Sequence, residues 1–122
     1  VCCLRPGIKD VSENITVRSI VGRFLEHTRV FYFLNGGDEQ LFCSSADWMP
    51  RNLYHRVETA FPIEEKRPRQ QIIKYGLLSY LSDNTQAWVL SSDGNYRRLK
   101  HGAQKVRSAQ KTLLEHHCDL SY

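Results

Sequence analysis

The chain has 122 residues, 41% of them apolar and 25% charged, and 17 Lys and Arg against 13 Asp and Glu leave a net charge of +4. That is the length and mix of one folded domain, which excludes a disordered chain and a multi-domain assembly. No stretch approaches the roughly 18 consecutive apolar residues of a membrane span, and Val1 to Gly7 lack a signal-peptide layout, so the chain reads as soluble and unexported.

The chain opens without Met and directly in an apolar run, as a piece of a longer polypeptide would. Its modest basic excess favours anionic partners without choosing among them. Cys2, Cys3, Cys43 and Cys118 have neither the paired spacing of a zinc site nor the density of a secreted scaffold, and read as reduced thiols. His116-His117 beside Cys118 reads as a solvated helix end, so no metal site is expected.

In chain order, Val1 to Leu4 is a short apolar run ended by Pro6-Gly7, which predicts a buried strand running into a loop. Ser12-Glu13-Asn14 offers cap chemistry, and Val17, Ile20, Val21, Phe24 and Leu25 recur at helical spacing, which predicts a helix ending just before His27. A strand follows from near His27 through the run Val30-Phe31-Tyr32-Phe33. Asn35-Gly36-Gly37-Asp38 reverses it, because Asn-Gly supplies the positive φ of a tight hairpin, and the return strand runs from about Gln40 to Ala46.

Arg56 to Ile63 alternates weakly and predicts a further strand, halted near Pro62. Pro68 suits the first turn of a helix whose apolar face is Ile72, Ile73, Leu77, Tyr80 and Leu81, despite the cost of Gly76. Gln86 to Leu90 and Tyr96 to Lys100 flank Ser-Asp-Gly-Asn and predict a second hairpin. Its basic arm, with Arg97, Arg98 and Lys100, either faces an anionic surface or is a solvated edge strand guarded by charge. Ala103 to His116 predicts a closing helix. The order β-α-β-β-β-α-β-β-α gives an α/β or α+β layer, and the α/β fold expected has a mixed β-sheet flanked by helices.

The chemistry concentrates at His27. Alternation with a period of two puts His27 and Arg29 on one face of their strand, and puts Leu41, Cys43, Ser45 and Asp47 on one face of the next. A His-x-Arg pair and a Ser-x-Asp pair are therefore expected side by side as the floor of an active site. Asp47 either fixes the tautomer of His27 or accepts local backbone N–H bonds, and Ser45 either donates to a ligand or fills space. Trp48 either stacks on a nucleobase or packs at the rim, and Arg51 either enters the site or ties down the loop from Met49 to Leu53.

Taken together, Cys2-Cys3-Leu4-Arg5-Pro6-Gly7, Ser12-Glu13-Asn14-Ile15, Ser19 to His27, Asn35-Gly36-Gly37-Asp38 and Ser44 to Asn52 resemble the C-terminal domain of bacterial polyphosphate kinase. The likeness is dense from Val1 to Ile63 and looser to about Arg107. It implies a phospholipase D-like domain over residues 1–113, followed by a tail at 114–122 that need not be ordered. In that family two such domains each contribute a histidine to one active site, and this chain resembles the last of four domains. His27 matches the second histidine, while the histidine that becomes phosphorylated belongs to the preceding domain.

The phospholipase D pattern of His-x-Lys, an acid, and Gly-Ser-x-Asn here reads His27-Thr28-Arg29, Leu34, and Ser44-Ser45-Ala46-Asp47, which speaks against a nuclease or lipid hydrolase. A basic polyanion-binding module without catalysis is the other rival. The resemblance further implies that His27, Arg29 and Arg56 contact ATP phosphates, that ATP, ADP and polyphosphate are the ligands with no role for nucleic acid, and that the whole enzyme uses Mg²⁺. It implies a cytoplasmic homo-oligomer, with membrane association of the whole enzyme left open, and a fragment inactive without the other domains of its polypeptide.

Overall fold

The computed structural model describes residues 2–118, and these form two compact units, one of residues 26–78 and one of the residues up to Leu25 together with those from Ser79 onward. In place of one mixed sheet, each unit holds a three-stranded sheet, and every strand pairing is antiparallel. The fold is α/β in content only. Short hairpins join β2 (Val30–Phe33) to β3 (Gln40–Ser44) and β5 (Ala87–Leu90) to β6 (Tyr96–Arg98), and a hairpin can pair only antiparallel neighbours.

In the unit of residues 26–78, β2 (Val30–Phe33), β3 (Gln40–Ser44) and β4 (Ala60–Pro62) pair in that order. The chain reverses at Asn35-Gly36, as expected, but through a 3₁₀ turn (Asn35–Gly37) with Asn35 at φ 45° and Gly36 at φ 66°, not through a two-residue turn. Phe33 pairs with Gln40, so six residues, Leu34 to Glu39, form the loop. Tyr32 donates to Glu39, and that hydrogen bond holds its phenol proton above the usual range.

A short helix, α1 (Pro50–His55), precedes β4 without a counterpart in the expected element order, although Pro50 at its first position is a recognised start signal. The strand expected from Arg56 is consequently shorter, beginning at Ala60. The helix expected from Pro68 is present as α2 (Lys66–Ile72), continued by a π-helical stretch (Ile73–Leu78). Gly76 in that stretch lies against the β2 end of the sheet, where an added Cβ would sit 3.6 Å from Val30 Cγ2 and 3.9 Å from Thr28 Cγ2. Leu41, 1% exposed, is the fully buried apolar side chain of this unit.

The other unit is built around β1 (Arg18–Ile20), β5 (Ala87–Leu90) and β6 (Tyr96–Arg98), with β5 central. β1 replaces the helix expected from Val17 to Leu25. Val21 N–H donates to Gln86 at 3.0 Å and Leu90 N–H donates to Val17 at 3.1 Å, extending the ladder past both ends of β1. Beyond it the Gln110 amide brackets Phe24, accepting from its N–H at 3.1 Å and donating to its carbonyl at 2.8 Å. Gly22 makes room for this: an ideal Cβ there would lie 2.2 Å from Gln110 Oε1. Long-range pairing thus overrides a helical spacing of apolar residues.

No strand forms at Cys2 to Leu4, which are exposed, and Val1 lies outside the described residues. Ser12 staples a turn instead of capping a helix: its hydroxyl donates to the Arg5 carbonyl and accepts from Ile8 N–H at 3.0 Å, while Gly7, at φ 71°, donates to Ser12 O at 2.8 Å. The closing helix, α4 (Ala109–Cys118), starts later than expected and runs through residues 114–118; residues 119–122 of the expected tail lie outside the described residues.

Asp83 is the reason α4 begins at Ala109. Only 1% exposed, its carboxylate accepts from Thr85 N–H at 2.8 Å, Gln86 N–H at 2.7 Å and, on the other oxygen, Ala109 N–H at 2.7 Å. It therefore closes the turn after α3 (Ser79–Ser82) and caps α4 at the same time. Burial pushes this carboxyl up, but the N–H groups of Gln86, Ala109 and Thr85 outweigh it and hold the group below its ordinary value of 3.8.

A carboxyl depressed in the folded state adds stability above its unfolded value, and that stability is lost as pH falls through the folded value. Asp83→Ala is expected to lower the unfolding free energy at pH 7 by about 3 kcal/mol, because three backbone donors, that of Ala109 buried and those of Thr85 and Gln86 half-buried, lose a charged acceptor. Urea unfolding of wild type and variant at pH 7 and below pH 3 measures this, with the gap closing in acid.

Candidate active site

The β2–β3 register sets the site. Val30 pairs with Cys43, and Ser44 N–H donates to Arg29 O at 3.0 Å, so Arg29 lies opposite Ser44. Arg29 thus shares a sheet face with Ser44, and strict alternation would put Ser45 on the opposite one. The expected row of His-x-Arg beside Ser-x-Asp does not form as a flat floor. Asp47 reaches Arg29 because β3 ends at Ser44 and the chain leaves the sheet plane beyond it.

What assembles is a line of three groups. Arg29 Nε donates to Asp47 Oδ1 at 2.8 Å, with the ion pair closing to 2.7 Å at the same oxygen through Nη2. Arg29 Nη2 also faces His27 Nδ1 at 3.4 Å. A guanidinium only donates, so it pairs with Nδ1 as an acceptor, which assigns the neutral imidazole proton to Nε2. Arg29, not Asp47, is therefore the group that orients His27. The Arg29 and Asp47 side chains are 21% and 41% exposed. The hydrogen bond from Arg29 lowers the Asp47 carboxyl below its ordinary 3.8, desolvation opposes it, and the positive charges of Arg29 and Arg51 add to the lowering.

The other expected residues stand apart from this line. Ser45 Oγ donates to Glu58 and accepts from Thr59 N–H at 3.0 Å, fastening β3 to the segment before β4. Arg56 caps the end of α1 in extended conformation and its side chain is exposed. Arg51 acts on Asp47 through its charge. Trp48 stacks on Phe31 with ring centroids 5.3 Å apart and planes at 21°, yet is 76% exposed. With Phe33, Phe42 and Leu53 it borders an apolar cavity of about 380 Å³.

Two residues near the Ser44 to Asn52 segment escape a reading of the sequence. Glu58 cannot be paired with Ser45 without knowing that β4 returns alongside β3. Asn52, 3% exposed with no partner for Oδ1 among the described residues, lies in α1, which the sequence pattern does not announce. The described residues hold no group of three or more His, Cys, Asp or Glu able to bind a metal ion, and the Asp47 carboxylate is engaged by Arg29. These residues do not fit a magnesium site. No helix among the described residues is long and apolar enough to cross a membrane.

A two-unit domain of small antiparallel sheets and helices, carrying imidazole, guanidinium and carboxylate in line at a strand end, is the class that the geometry defines. The family model described as polyphosphate kinase C-terminal domain 2 matches residues 1–110, and the chain belongs to that family. It is 67% identical over 115 residues to a polyphosphate kinase of Pseudomonas syringae pv. tomato, covering 93% of this chain and 16% of that protein. It is 56% identical over 118 residues to the polyphosphate kinase of Paraburkholderia phytofirmans, covering 97% and 17%.

The crystal structure of polyphosphate kinase from Porphyromonas gingivalis superposes with a TM-score of 0.88 at 39% identity, over 98% of this chain and 18% of that one. The chain thus spans about a sixth of the length of the curated relatives it matches.

The Arg29–Asp47 pair persists above the ordinary carboxyl range, and any stability it contributes is lost as pH falls through the depressed Asp47 value. A carbon-detected NMR titration of the Asp47 carboxyl is expected to show a midpoint below 3.8, and Arg29→Ala is expected to move it upward.

Proposed function

We propose that this chain is the last domain of an ATP:polyphosphate phosphotransferase, reversibly moving the terminal phosphate of ATP onto a polyphosphate chain through a phosphohistidine in the preceding domain. The observation that carries the reading is the His27–Arg29–Asp47 line in a chain of this family. In this reading residues 1–113 are the functional domain and share a phospholipase D-like fold with the domain before them.

Phosphoryl transfer spreads negative charge over the equatorial oxygens, so the site must supply fixed cations and a proton-bearing group. With Nε and one Nη2 proton committed to Asp47, Arg29 keeps both Nη1 protons for phosphate oxygens. Asp47 holds that guanidinium in place before the phosphate arrives, and Arg29 in turn aims His27. The Nε2 proton of His27 then donates to an oxygen of the transferring phosphate, stabilising charge as the P–O bond to ADP breaks and the bond to the other domain's histidine forms. Arg56, whose side chain is exposed, takes a second phosphate.

Magnesium, expected in the whole enzyme, would screen nucleotide phosphate charge, held by ligands from outside the described residues. The ligands proposed are ATP, ADP and polyphosphate, not nucleic acid. The whole enzyme is proposed to be a cytoplasmic homo-oligomer, with the fragment inactive alone because only one of the two histidines is present.

His27→Ala in the full-length protein is expected to lower ATP-dependent polyphosphate synthesis by at least ~10²-fold, and Arg29→Lys by roughly tenfold, because lysine cannot bridge carboxylate, imidazole and phosphate together. Steady-state synthesis from ATP measures both. Wild-type turnover in His27→Ala would overturn the assignment.

A further inference from the structure

The positive charge of this chain is not evenly spread. Residues 94–114 hold six of the 17 Lys and Arg and none of the 13 Asp and Glu, so the remainder, with 11 basic and 13 acidic groups, is net negative. The basic stretch lies wholly in the unit that does not carry His27.

Two of these charges, Arg98 and Lys100, line one groove, and Lys105 and Arg107 belong to the stretch hydrogen-bonded beside it. A cavity of about 500 Å³ is lined by Asn84, Thr85, Arg98, Leu99, Lys100 and His101. Arg98 is anchored there by Nε and Nη2, which donate to Thr85 O at 3.1 and 2.7 Å, and its Nη1 is left over. Asn84, buried behind the groove, brings a second stretch of chain alongside: its Nδ2 donates to Lys105 O at 3.0 Å, and its Oδ1 accepts from Arg107 N–H at 2.9 Å. Those bonds use only the backbones of Lys105 and Arg107. The side chains of Lys100, Lys105 and Arg107 are exposed, and no acidic side chain pairs with them among the described residues.

We propose that this groove is a second polyanion site, binding a stretch of inorganic polyphosphate apart from the His27 centre. The choice of ligand rests on the proposed function, which makes polyphosphate the substrate. Recognition here is by charge alone. The lining holds no Phe, Tyr or Trp, and its one ring, the His101 imidazole, is tied to Gly102 O at 2.9 Å, whereas a site for single-stranded nucleic acid lines up several aromatic platforms to stack successive bases. A linear phosphate polymer presents one charge after another and needs only cations set along its path.

The test uses the full-length enzyme and direct binding of polyphosphate about 100 phosphates long, at several salt concentrations. Lys100→Gln/Lys105→Gln/Arg107→Gln spares the Arg98 anchor. It is expected to weaken binding roughly tenfold and to make the log–log salt dependence shallower by about 2, since three phosphate contacts are lost. Lys100→Gln/Lys105→Gln, which leaves Arg107 in place, is expected to give about two thirds of that slope change.

Unchanged affinity and slope in both variants would overturn the groove. Equal competition by single-stranded RNA of matched charge would overturn polyphosphate as its ligand. His27→Ala, run in parallel, is expected to keep long-chain binding while losing synthesis. Failure of the catalytic reading would appear there alone, as retained synthesis, and failure of the groove alone would leave the His27→Ala result intact.

Discussion

The register of the β2–β3 ladder is the constraint on which the candidate site depends. Six loop residues between Phe33 and Gln40 make odd-numbered residues of β2 pair with even-numbered residues of β3. Arg29 therefore lies opposite Ser44, at the last hydrogen-bonded position of the ladder, and its guanidinium is met by the first acidic side chain beyond the end of β3. That side chain is Asp47. A slip of one residue would turn Arg29, and His27 with it, to the face on which Leu41 is buried and separate both from Asp47.

Electrostatically the site is a cation held by an anion. Asp47 neutralises part of the Arg29 charge and so weakens its pull on any anion, yet it also removes the rotamer freedom that a long side chain would otherwise lose on binding. Arg29 still presents unused donors, and Arg51 and Arg56 stand near in sequence with exposed side chains. For a polyanionic ligand the fixed direction of the guanidinium matters more than its full charge, because bidentate contact depends on geometry.

Both hairpins and the helix beginning near Pro68 are legible in the sequence because local chemistry decides them: Asn35-Gly36 and Asp93-Gly94 supply the turns, and Pro68 with an apolar stripe supplies the helix. The segment Val17 to Leu25 misleads because its apolar residues recur at helical spacing while its actual partners, Gln86 and Gln110, lie far along the chain. At the site, the residue types are legible and their arrangement is not. His27, Arg29 and Asp47 can be named from strand alternation, but which face each takes depends on the length of the Asn-Gly loop. Glu58 as the partner of Ser45, and the short helix that buries Asn52, depend on how β4 returns.

Polar side chains hold much of this molecule together. Among the largest fully buried side chains one, Leu41, is apolar and the other, Asp83, is a carboxylate, while many large apolar residues remain exposed. In the unit around β5, Ser12, Asp83, Asn84 and Gln110 each supply backbone partners to a segment that lacks them in the sheet or helix ladders. Each such bond contributes modestly when made and costs more when broken, because the backbone group left behind is shielded from water. Local failure at one of these side chains would therefore release the segment it holds, and Asp83, which joins the end of α3 to the start of α4, is where acid acts on that unit most directly.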